Sequence, residues 1–286
     1  VTLARVAGCK QIVVCTPCGK DGSINPFLLF AARYTGATEI YKVGGAQAIA
    51  AMALGTESIK PVMKIFGPGN AFVVTAKRLL FGYTAIDLLP GPSELLVIAD
   101  ETADAKFIAA DLIAQAEHGS GYERIWMISA SEKVIKETEK EIERQVKTAS
   151  RKLMIQKVLE NNCWAVRVKS MNDAISLANQ IAPEHCEIIT KAPEKVAAEI
   201  NTAGAIFLGN YTPTVLGDYM AGPSHTLPTG GAGVSFSGLS VEQFQRRTSI
   251  IKYNKQALKK SIPVLERIGK VEGLEAHLRS AKIRFE

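Results

Sequence analysis

The amino-acid sequence predicts an α/β protein with two doubly wound, mostly parallel-sheet (Rossmann-like) domains and a small α/β tail at the C-terminus. Short runs of β-branched residues alternate with longer stretches of helical periodicity, which is typical of parallel strands joined by crossover helices. The segment Pro90-Gly91-Pro92 interrupts this alternation, and from Gly230 the composition changes to Gly, Ser and Ala. We therefore expect three parts, at residues 1–92, 93–232 and 233–286.

The strand and helix patterns follow one another regularly through the first two parts. In the first part, strands are predicted at 11–16, 39–43 and 62–66, and helices at 25–34, 46–54 and 71–80. In the second part, the predicted strands are 95–99, 125–129, 163–168, 187–190 and 205–208, and the predicted helices are 103–117, 131–158, 171–181 and 193–201.

The third part differs from the other two in composition and length. A strand is predicted at 248–253 and a helix at 255–270. A segment this short buries too little apolar surface to form a core of its own. We therefore expect it to pack on another folded body.

Composition excludes several classes of protein. With 286 residues, of which 47% are hydrophobic and 22% charged, the chain can form a sizeable core, which excludes a disulfide-stapled miniprotein and a disordered chain. No apolar run is long enough to span a membrane, and the start lacks a secretory signal pattern, so a cytoplasmic protein is predicted. The five cysteines, an odd number, favour reduced thiols over disulfide bridges. Residues 1–7 have the pattern of a helix already under way, so we expect sequence upstream of them.

The net charge of +6 does not predict a nucleic-acid-binding protein. Basic residues are interleaved with acidic ones, as between Glu132 and Arg151, where opposite charges lie three or four residues apart. That spacing is typical of a solvent-exposed helix face. We therefore expect a small-molecule ligand and neither a nucleic acid nor a membrane as partner.

No standard dinucleotide-binding or P-loop motif occurs in the sequence. Doubly wound sheets bind ligands at the carboxyl ends of their strands, which directs attention to Gly44-Gly45-Ala46-Gln47 and Gly67-Pro68-Gly69-Asn70. Each segment is predicted to run from a strand into a helix, where free main-chain N–H groups and the positive helix end suit a pyrophosphate. From spacing alone, a tight turn without a ligand is the more common explanation.

All four histidines lie in polar segments beside carboxylates or amides. They are His118, after Gln115; His185, after Glu184; His225, seven residues after Asp218; and His277, after Glu272. A single histidine is more often structural than a ligand, but four in such surroundings, without a zinc-ribbon spacing of cysteines, favour zinc bound by imidazole and oxygen ligands. On a helix, Gln115 and His118 lie on one face and can bind one ion together.

Glu184 and His185 form an adjacent acid and base just before a predicted strand. An imidazole that titrates near neutrality is the usual group for removing an alcohol proton, and a neighbouring carboxylate can activate water. The alternative is a corner between helix and strand with a solvated glutamate. Cys15-Thr16-Pro17-Cys18 resembles half of a zinc or redox site, but no second pair exists, so it is assigned no function.

Several of these motifs together resemble the histidinol dehydrogenase family. The matching segments, in family order across nearly the whole chain, are 43–50, 66–70, 91–94, 115–119, 182–185, 217–219, 225–229 and 272–277. The resemblance implies a zinc- and NAD-dependent enzyme of histidine biosynthesis that oxidises L-histidinol to L-histidine through histidinal, with two successive hydride transfers to NAD. It also implies an intertwined homodimer with a shared active site, in which residues 233–286 pack on the partner subunit.

The same resemblance implies a role for each matching residue. Gln115, His118, Asp218 and His277 correspond to the zinc ligands, with His277 contributed by the partner subunit. Glu184 and His185 correspond to the catalytic pair, with His185 as general base and Glu184 as the carboxylate that activates water. Gln47 and Asn70 correspond to contacts with NAD. The substrate-binding set comprises the catalytic histidine, the zinc ligands, Ser93 and Glu272, with His225 as a further position.

Three other functions stay open at the level of sequence. A related NAD- and zinc-dependent dehydrogenase of another polar alcohol, such as a sulfonated diol, would keep the zinc ligands and differ in the pocket around Thr214 and Ser224. A zinc hydrolase would use Glu184 on metal-bound water and need no nicotinamide. A non-catalytic binding fragment would follow if the expected upstream sequence is missing.

Overall fold

The computed structural model describes residues 1–286, and the chain divides into two compact units, Val1–Gln245 and Arg246–Glu286. The predicted boundaries at residues 92 and 232 are not tested by this division and stay predictions. No helix combines the length and the apolar character that crossing a membrane would need.

The first unit begins with short parallel strand pairs and the helices that follow them. Its elements are α1 (Thr2–Val6), β1 (Val13–Cys15), α2 (Pro26–Thr35), β2 (Glu39–Tyr41), α3 (Ala46–Leu54), β3 (Lys64–Ile65), α4 (Ala71–Leu80) and β4 (Ala85–Ile86). β1 pairs with β2 and β3 pairs with β4, both in parallel. The side chains of Asn25 and Asn70 cap α2 and α4 by accepting main-chain hydrogen bonds, which explains why both helices begin where they do. Strand β4 has two residues, too few to be predicted from periodicity.

A parallel sheet of five strands follows in the same unit. Its elements are β5 (Glu94–Ala99), α5 (Ala105–Ala116), β6 (Arg124–Ser129), α6 (Glu132–Val146), α7 (Lys152–Asn162), β7 (Cys163–Arg167), α8 (Met171–Ile181), β8 (His185–Ile189), α9 (Pro193–Ala197), β9 (Ala205–Leu208) and α10 (Val215–Tyr219). The strand order is β7-β6-β5-β8-β9, with every pair parallel. The predicted α/β class with parallel sheets is confirmed.

Both faces of this sheet are covered by helices, and β5 at its centre is buried along its whole length. Alternate residues of a strand point to opposite faces. Accordingly Leu95 and Val97 pack in a cluster with residues of α5, α6 and α7, whereas Leu96 and Ile98 pack in a cluster with residues of α8. Each fully buried side chain of this size contributes about 1.5–3 kcal/mol, so this double-sided core is a rigid support for the residues at the strand ends.

Two predicted elements are wrong. The single helix predicted at 131–158 is two helices, α6 and α7, separated by a turn at residues 147–151 in which the Thr148 hydroxyl donates to the main-chain oxygen of Gln145. The turn brings Val146, Ile155 and Val158 into the same core cluster. The predicted strand at 248–253 is absent, because no second strand pairs with these residues.

The second unit contains two helices, α11 (Lys255–Glu272) and α12 (Glu275–Lys282). Asn254 caps the start of α11, and Gly273 ends it in the left-handed conformation, with φ of 69°. The predicted helix at 255–270 is confirmed, with α12 in addition. This unit exposes apolar side chains such as Val264, Ile268 and Val271.

Candidate active site

A carboxylate and an imidazole lie at the amino ends of the two central strands of the five-stranded sheet. His185 opens β8 and pairs with Leu95 of β5, so the residues that precede the two strands lie side by side. The Oε2 atom of Glu184 accepts hydrogen bonds from Ser93 Oγ at 2.6 Å and from the main-chain N–H of Glu94 at 2.8 Å. The structure therefore brings together three of the predicted site residues, Ser93, Glu184 and His185.

The tautomer of His185 follows from its hydrogen bond. Its Nδ1 atom lies 2.8 Å from the main-chain oxygen of Glu94, and a carbonyl oxygen can only accept, so Nδ1 donates. In the neutral ring, Nε2 then carries the free lone pair. The same Nδ1 atom is 3.6 Å from Glu184 Oε2, and both side chains are buried. The arrangement supplies a base with a defined direction and a carboxylate beside it.

This cluster lies at the amino edge of the sheet, opposite the carboxyl edge where doubly wound sheets usually bind ligands. The crossover helix α5 explains the position of further site residues. It returns from the carboxyl end of β5 to the amino end of β6, so its last turn lies at the same edge as Glu184 and His185. Gln115 lies in that last turn and His118 just after it.

Gln115 is buried with an unsatisfied amide. Its residue surface is 3% exposed, and its Nε2 atom has no hydrogen-bond partner. A buried polar atom without a partner costs free energy that a bound ligand or an ordered water would recover. Because a half-turn of the amide exchanges oxygen and nitrogen, a carbonyl ligand to a metal fits this position. His118 is exposed, and the turn that carries it is held by a hydrogen bond from Arg151 Nη1 to Glu117 O at 2.7 Å.

Asp218 follows a glycine that packs against an aromatic ring near His185. The Phe207 ring of β9 lies 5.9 Å from the His185 ring, centroid to centroid. A Cβ atom at Gly217 would lie 2.8 Å from Phe207 Cζ, which is too close, so only glycine allows α10 to approach this ring. Asp218 follows Gly217 directly in α10.

The segment after α10 is tied to the same edge by two hydrogen bonds. Thr229 Oγ1 accepts from the Gly91 N–H at 2.6 Å, and Glu94 Oε1 accepts from the Gly230 N–H at 3.1 Å. His225 lies in this segment and is exposed. His225 makes no hydrogen bond or ion pair with Glu184 or His185.

No group of three His, Cys, Asp or Glu side chains in the chain is arranged to hold a metal ion. Three of the four predicted ligands, Gln115, His118 and Asp218, lie in the first unit. Gln115 is an amide, so this unit supplies only one imidazole and one carboxylate to the predicted set. His277 and Glu272 lie in the second unit, in α12 and at the end of α11, and both are exposed. The four-residue ligand set stays a prediction.

The two glycine-rich segments lie between strand and helix, as predicted. Residues 44–47 join β2 to α3, and residues 67–70 join β3 to α4. Asn70 Oδ1 accepts from the N–H groups of Phe72 and Val73, so this side chain caps α4 while its Nδ2 donates no hydrogen bond within the chain. Gln47 and Asn70 are both exposed, and their contacts with NAD stay predictions.

Sequence reasoning missed a pair of buried carboxyl groups next to the site. Glu187 lies two residues after His185 on the same face of β8, and its side chain is hydrogen-bonded to that of Asp111 on α5. Burial raises the pKa of Glu187 to about 9, and the nearby Asp111 adds to the shift. Burial also raises the pKa of Asp111. The sequence signal that could have revealed this pair is Glu187, an acidic residue followed directly by the apolar residues of β8.

The fold and the site define an α/β protein of parallel sheets with a buried acid–base pair and an unsatisfied amide at one sheet edge. The sequence model for histidinol dehydrogenase matches residues 1–285, and the chain belongs to this family.

Relatives and a solved structure agree with this assignment. The chain is 49% identical to a histidinol dehydrogenase of Bradyrhizobium diazoefficiens and 47% identical to one of Lactococcus lactis, in each case over 99% of this chain and 65% of the relative. A crystal structure of histidinol dehydrogenase from Elizabethkingia anophelis superposes with a TM-score of 0.94 at 38% identity, again over 99% of this chain and 65% of that one. The chain thus spans about two-thirds of the length of these proteins.

Proposed function

We propose that this chain carries the acid–base part of an enzyme that oxidises L-histidinol to L-histidine through histidinal, with NAD as oxidant and zinc as bound metal. The observation that carries the proposal is the Glu184–His185 pair, anchored through Ser93 and Glu94 at the amino ends of β5 and β8. Membership in the histidinol dehydrogenase family supports the substrate, a small amino alcohol.

His185 is the general base in this proposal. The hydrogen bond from Nδ1 to Glu94 O leaves Nε2 to take the proton of the substrate hydroxyl. Since the acceptor is a main-chain atom of a buried strand, the ring stays oriented through the reaction. The same nitrogen can take a second proton when the hydrated aldehyde is oxidised to the acid.

Glu184 is the carboxylate that activates water for the second oxidation. Its Oε2 atom is occupied by two donors, Ser93 Oγ and the Glu94 N–H, which fix the carboxylate plane. Its Oε1 atom accepts no hydrogen bond within the chain, so it is available to a water molecule. Oε2 therefore holds the carboxylate in position, while Oε1 accepts the proton of the water molecule.

Zinc would be held by Gln115, His118 and Asp218 together with the His277 equivalent of a partner subunit. The unsatisfied amide of Gln115 supports this, because a half-turn of the amide would place its carbonyl oxygen, a possible zinc ligand, at the position of the unpartnered Nε2 atom. Zinc bound there supplies a template that orients the amino alcohol through its nitrogen atoms. Ser93 and Glu272 then complete substrate binding, with His225 as a further contact.

NAD would bind at the glycine-rich segments, with contacts from Gln47 and Asn70, and supplies the acceptor of both hydrides. Asn70 is suited to this, because its oxygen caps α4 while its amide N–H groups remain free to donate. The sheet order β7-β6-β5-β8-β9, which runs outward from β5 in both directions, supports the doubly wound, Rossmann-like class.

The proposal includes a homodimer with a shared active site, with residues 233–286 packed on the partner subunit. The apolar side chains exposed on α11 support it, since such a surface is typical of an interface. The cytoplasmic location predicted from sequence belongs to the same proposal.

The test is an assay of NADH formation by the zinc-loaded chain with L-histidinol. We expect absorbance at the NADH band to increase only when L-histidinol, NAD and zinc are all present, with two NADH formed per L-histidine. A sulfonated diol in place of L-histidinol is the matched substrate control. Turnover of the diol alone would favour the related dehydrogenase, hydrolysis without NAD would favour a zinc hydrolase, and the absence of any turnover would overturn the proposal for this chain.

A further inference from the structure

A fully buried ion pair lies beneath the segment 67–70. Lys77 is on α4 and Asp87 follows β4, and the Lys77 Nζ and Asp87 Oδ1 atoms are in direct contact, with both side chains 0% exposed. Neither residue belongs to a motif that carries the family resemblance. A buried ion pair stabilises a fold little, because the cost of removing both charges from water offsets most of their attraction. Its presence therefore points to a role other than stability.

The remaining hydrogen bonds of the pair go to a single residue. Asp87 Oδ2 accepts from the Gly67 N–H at 2.7 Å, and Lys77 Nζ donates to the Gly67 carbonyl oxygen at 2.9 Å. Both polar main-chain groups of Gly67 are thereby held from below. Gly67 has a φ of 125°, a conformation in which glycine has wide freedom, so local preference does not determine the direction of the chain here.

We propose that Lys77 and Asp87 are positioning residues for the nicotinamide cofactor. They hold Gly67 in the one conformation that directs residues 67–70 out of β3 and presents Asn70 at the start of α4. The inference rests on the proposed function, since it assumes that Asn70 contacts NAD. Because both side chains are fully buried, they act through Gly67 and do not touch the cofactor.

A purely structural role would be served equally well by apolar residues. α4 already packs on β3 through Val73 and Ile65 in an apolar cluster, which holds the helix in place without the ion pair. What apolar side chains cannot do is bind the N–H and C=O groups of Gly67. Removal of the pair should therefore release residues 67–70 while the helix stays packed.

The test compares NADH binding, measured by fluorescence titration of the zinc-loaded chain, between the wild type and three variants. The double variant K77M/D87L removes both charges together and leaves no buried charge unpaired, so it should fold. K77M/D87N also leaves no buried charge unpaired, keeps an oxygen that can accept from the Gly67 N–H, and is the conservative rescue. K136M is the matched control, since Lys136 is exposed on α6 and forms its ion pair there with Glu132.

We expect K77M/D87L to raise the Kd for NADH by about tenfold or more, because a small displacement of a binding group weakens the contacts it makes. The Kd of K77M/D87L for L-histidinol and the Kd of K136M for NADH should stay at the wild-type values. The Kd of K77M/D87N for NADH should lie between those of the wild type and K77M/D87L. Amide hydrogen exchange at Gly67 should become faster in K77M/D87L. Faster amide exchange with an unchanged Kd for NADH would overturn the inference about Lys77 and Asp87 but leave the proposed function standing. Wild-type chain that binds no NADH would overturn the proposed cofactor as well.

Discussion

The Nδ1 atom of His185 lies 2.8 Å from the main-chain oxygen of Glu94, a residue of the neighbouring strand. The imidazole that we propose as the base is therefore oriented by the backbone of a buried sheet and not by a carboxylate side chain. Glu184, 3.6 Å from the same nitrogen, is left to serve a separate purpose. Because Glu184 and His185 are proposed to have different roles, we expect different effects from their replacement.

Replacement of His185 should abolish turnover without loss of metal. His185→Asn removes the base but no zinc ligand, so we expect kcat to fall by about 100-fold or more, the usual contribution of a general base. Steady-state NADH formation measures the rate, and elemental analysis of the purified variant measures zinc. Activity near the wild-type level would show that another group takes the proton.

Replacement of Glu184 should separate the two oxidations. Glu184→Gln keeps the shape of the side chain but cannot activate water, so we expect the alcohol to be oxidised and the aldehyde to accumulate. The ratio of NADH to L-histidine should then rise above the wild-type value, as shown by trapping the aldehyde with a hydrazine reagent. Equal loss of both steps would mean that Glu184 serves only to support His185.

The proposed metal site, shared between two subunits, predicts an effect of a residue far from Gln115 in the sequence. His277→Ala should lower zinc occupancy, although His277 lies in the second unit and Gln115 in the first. His225→Ala is the control, because His225 is not among the predicted ligands and should leave the zinc content unchanged. Full zinc occupancy in His277→Ala, measured by elemental analysis on the dimer fraction, would contradict a site shared between subunits.

The buried Glu187 predicts a pH-dependent stability. Its pKa is raised from an ordinary value of 4.5 to about 9, so the folded protein holds a proton there that the unfolded chain releases. Stability should therefore decline as the pH rises through this interval. Glu187→Gln cannot titrate, so its melting temperature should fall less between pH 6 and pH 8.5, with an advantage of at least about 1 kcal/mol at the upper end.

Glu123 provides the control of opposite sign. Burial opposes its ionisation, but hydrogen bonds from Ser120 and Gly121 outweigh burial and lower its pKa. A carboxylate of this kind contributes stability above its unfolded pKa that is lost on acidification. Glu123→Gln should therefore be less stable than the wild type at pH 7 and approach it at low pH. Parallel pH profiles for the two variants would contradict both assignments.

Much of the architecture follows from local pattern. Alternating apolar runs and helical periodicity are enough to predict the strands of the large sheet, and the predicted bounds of helices α3, α4 and α8 match. Strand β8 begins at His185, two residues before its predicted start, so His185 lies in the strand and not just before it. The break between α6 and α7 escaped prediction because it depends on the packing of both helices in one core cluster, not on local periodicity. Strand β4 was not predicted because its two residues are too few to show the alternation of a strand.

The sequence by itself determined the α/β class and, through its motifs, the candidate catalytic pair, because residue type and spacing act locally. Only the tertiary structure decided that the pair lies at the amino edge of the sheet, that Glu94 O sets the His185 tautomer, and that Lys77 and Asp87 hold Gly67. Those relationships join residues distant in the chain. They depend on parallel strand register and helix packing, which no local pattern specifies.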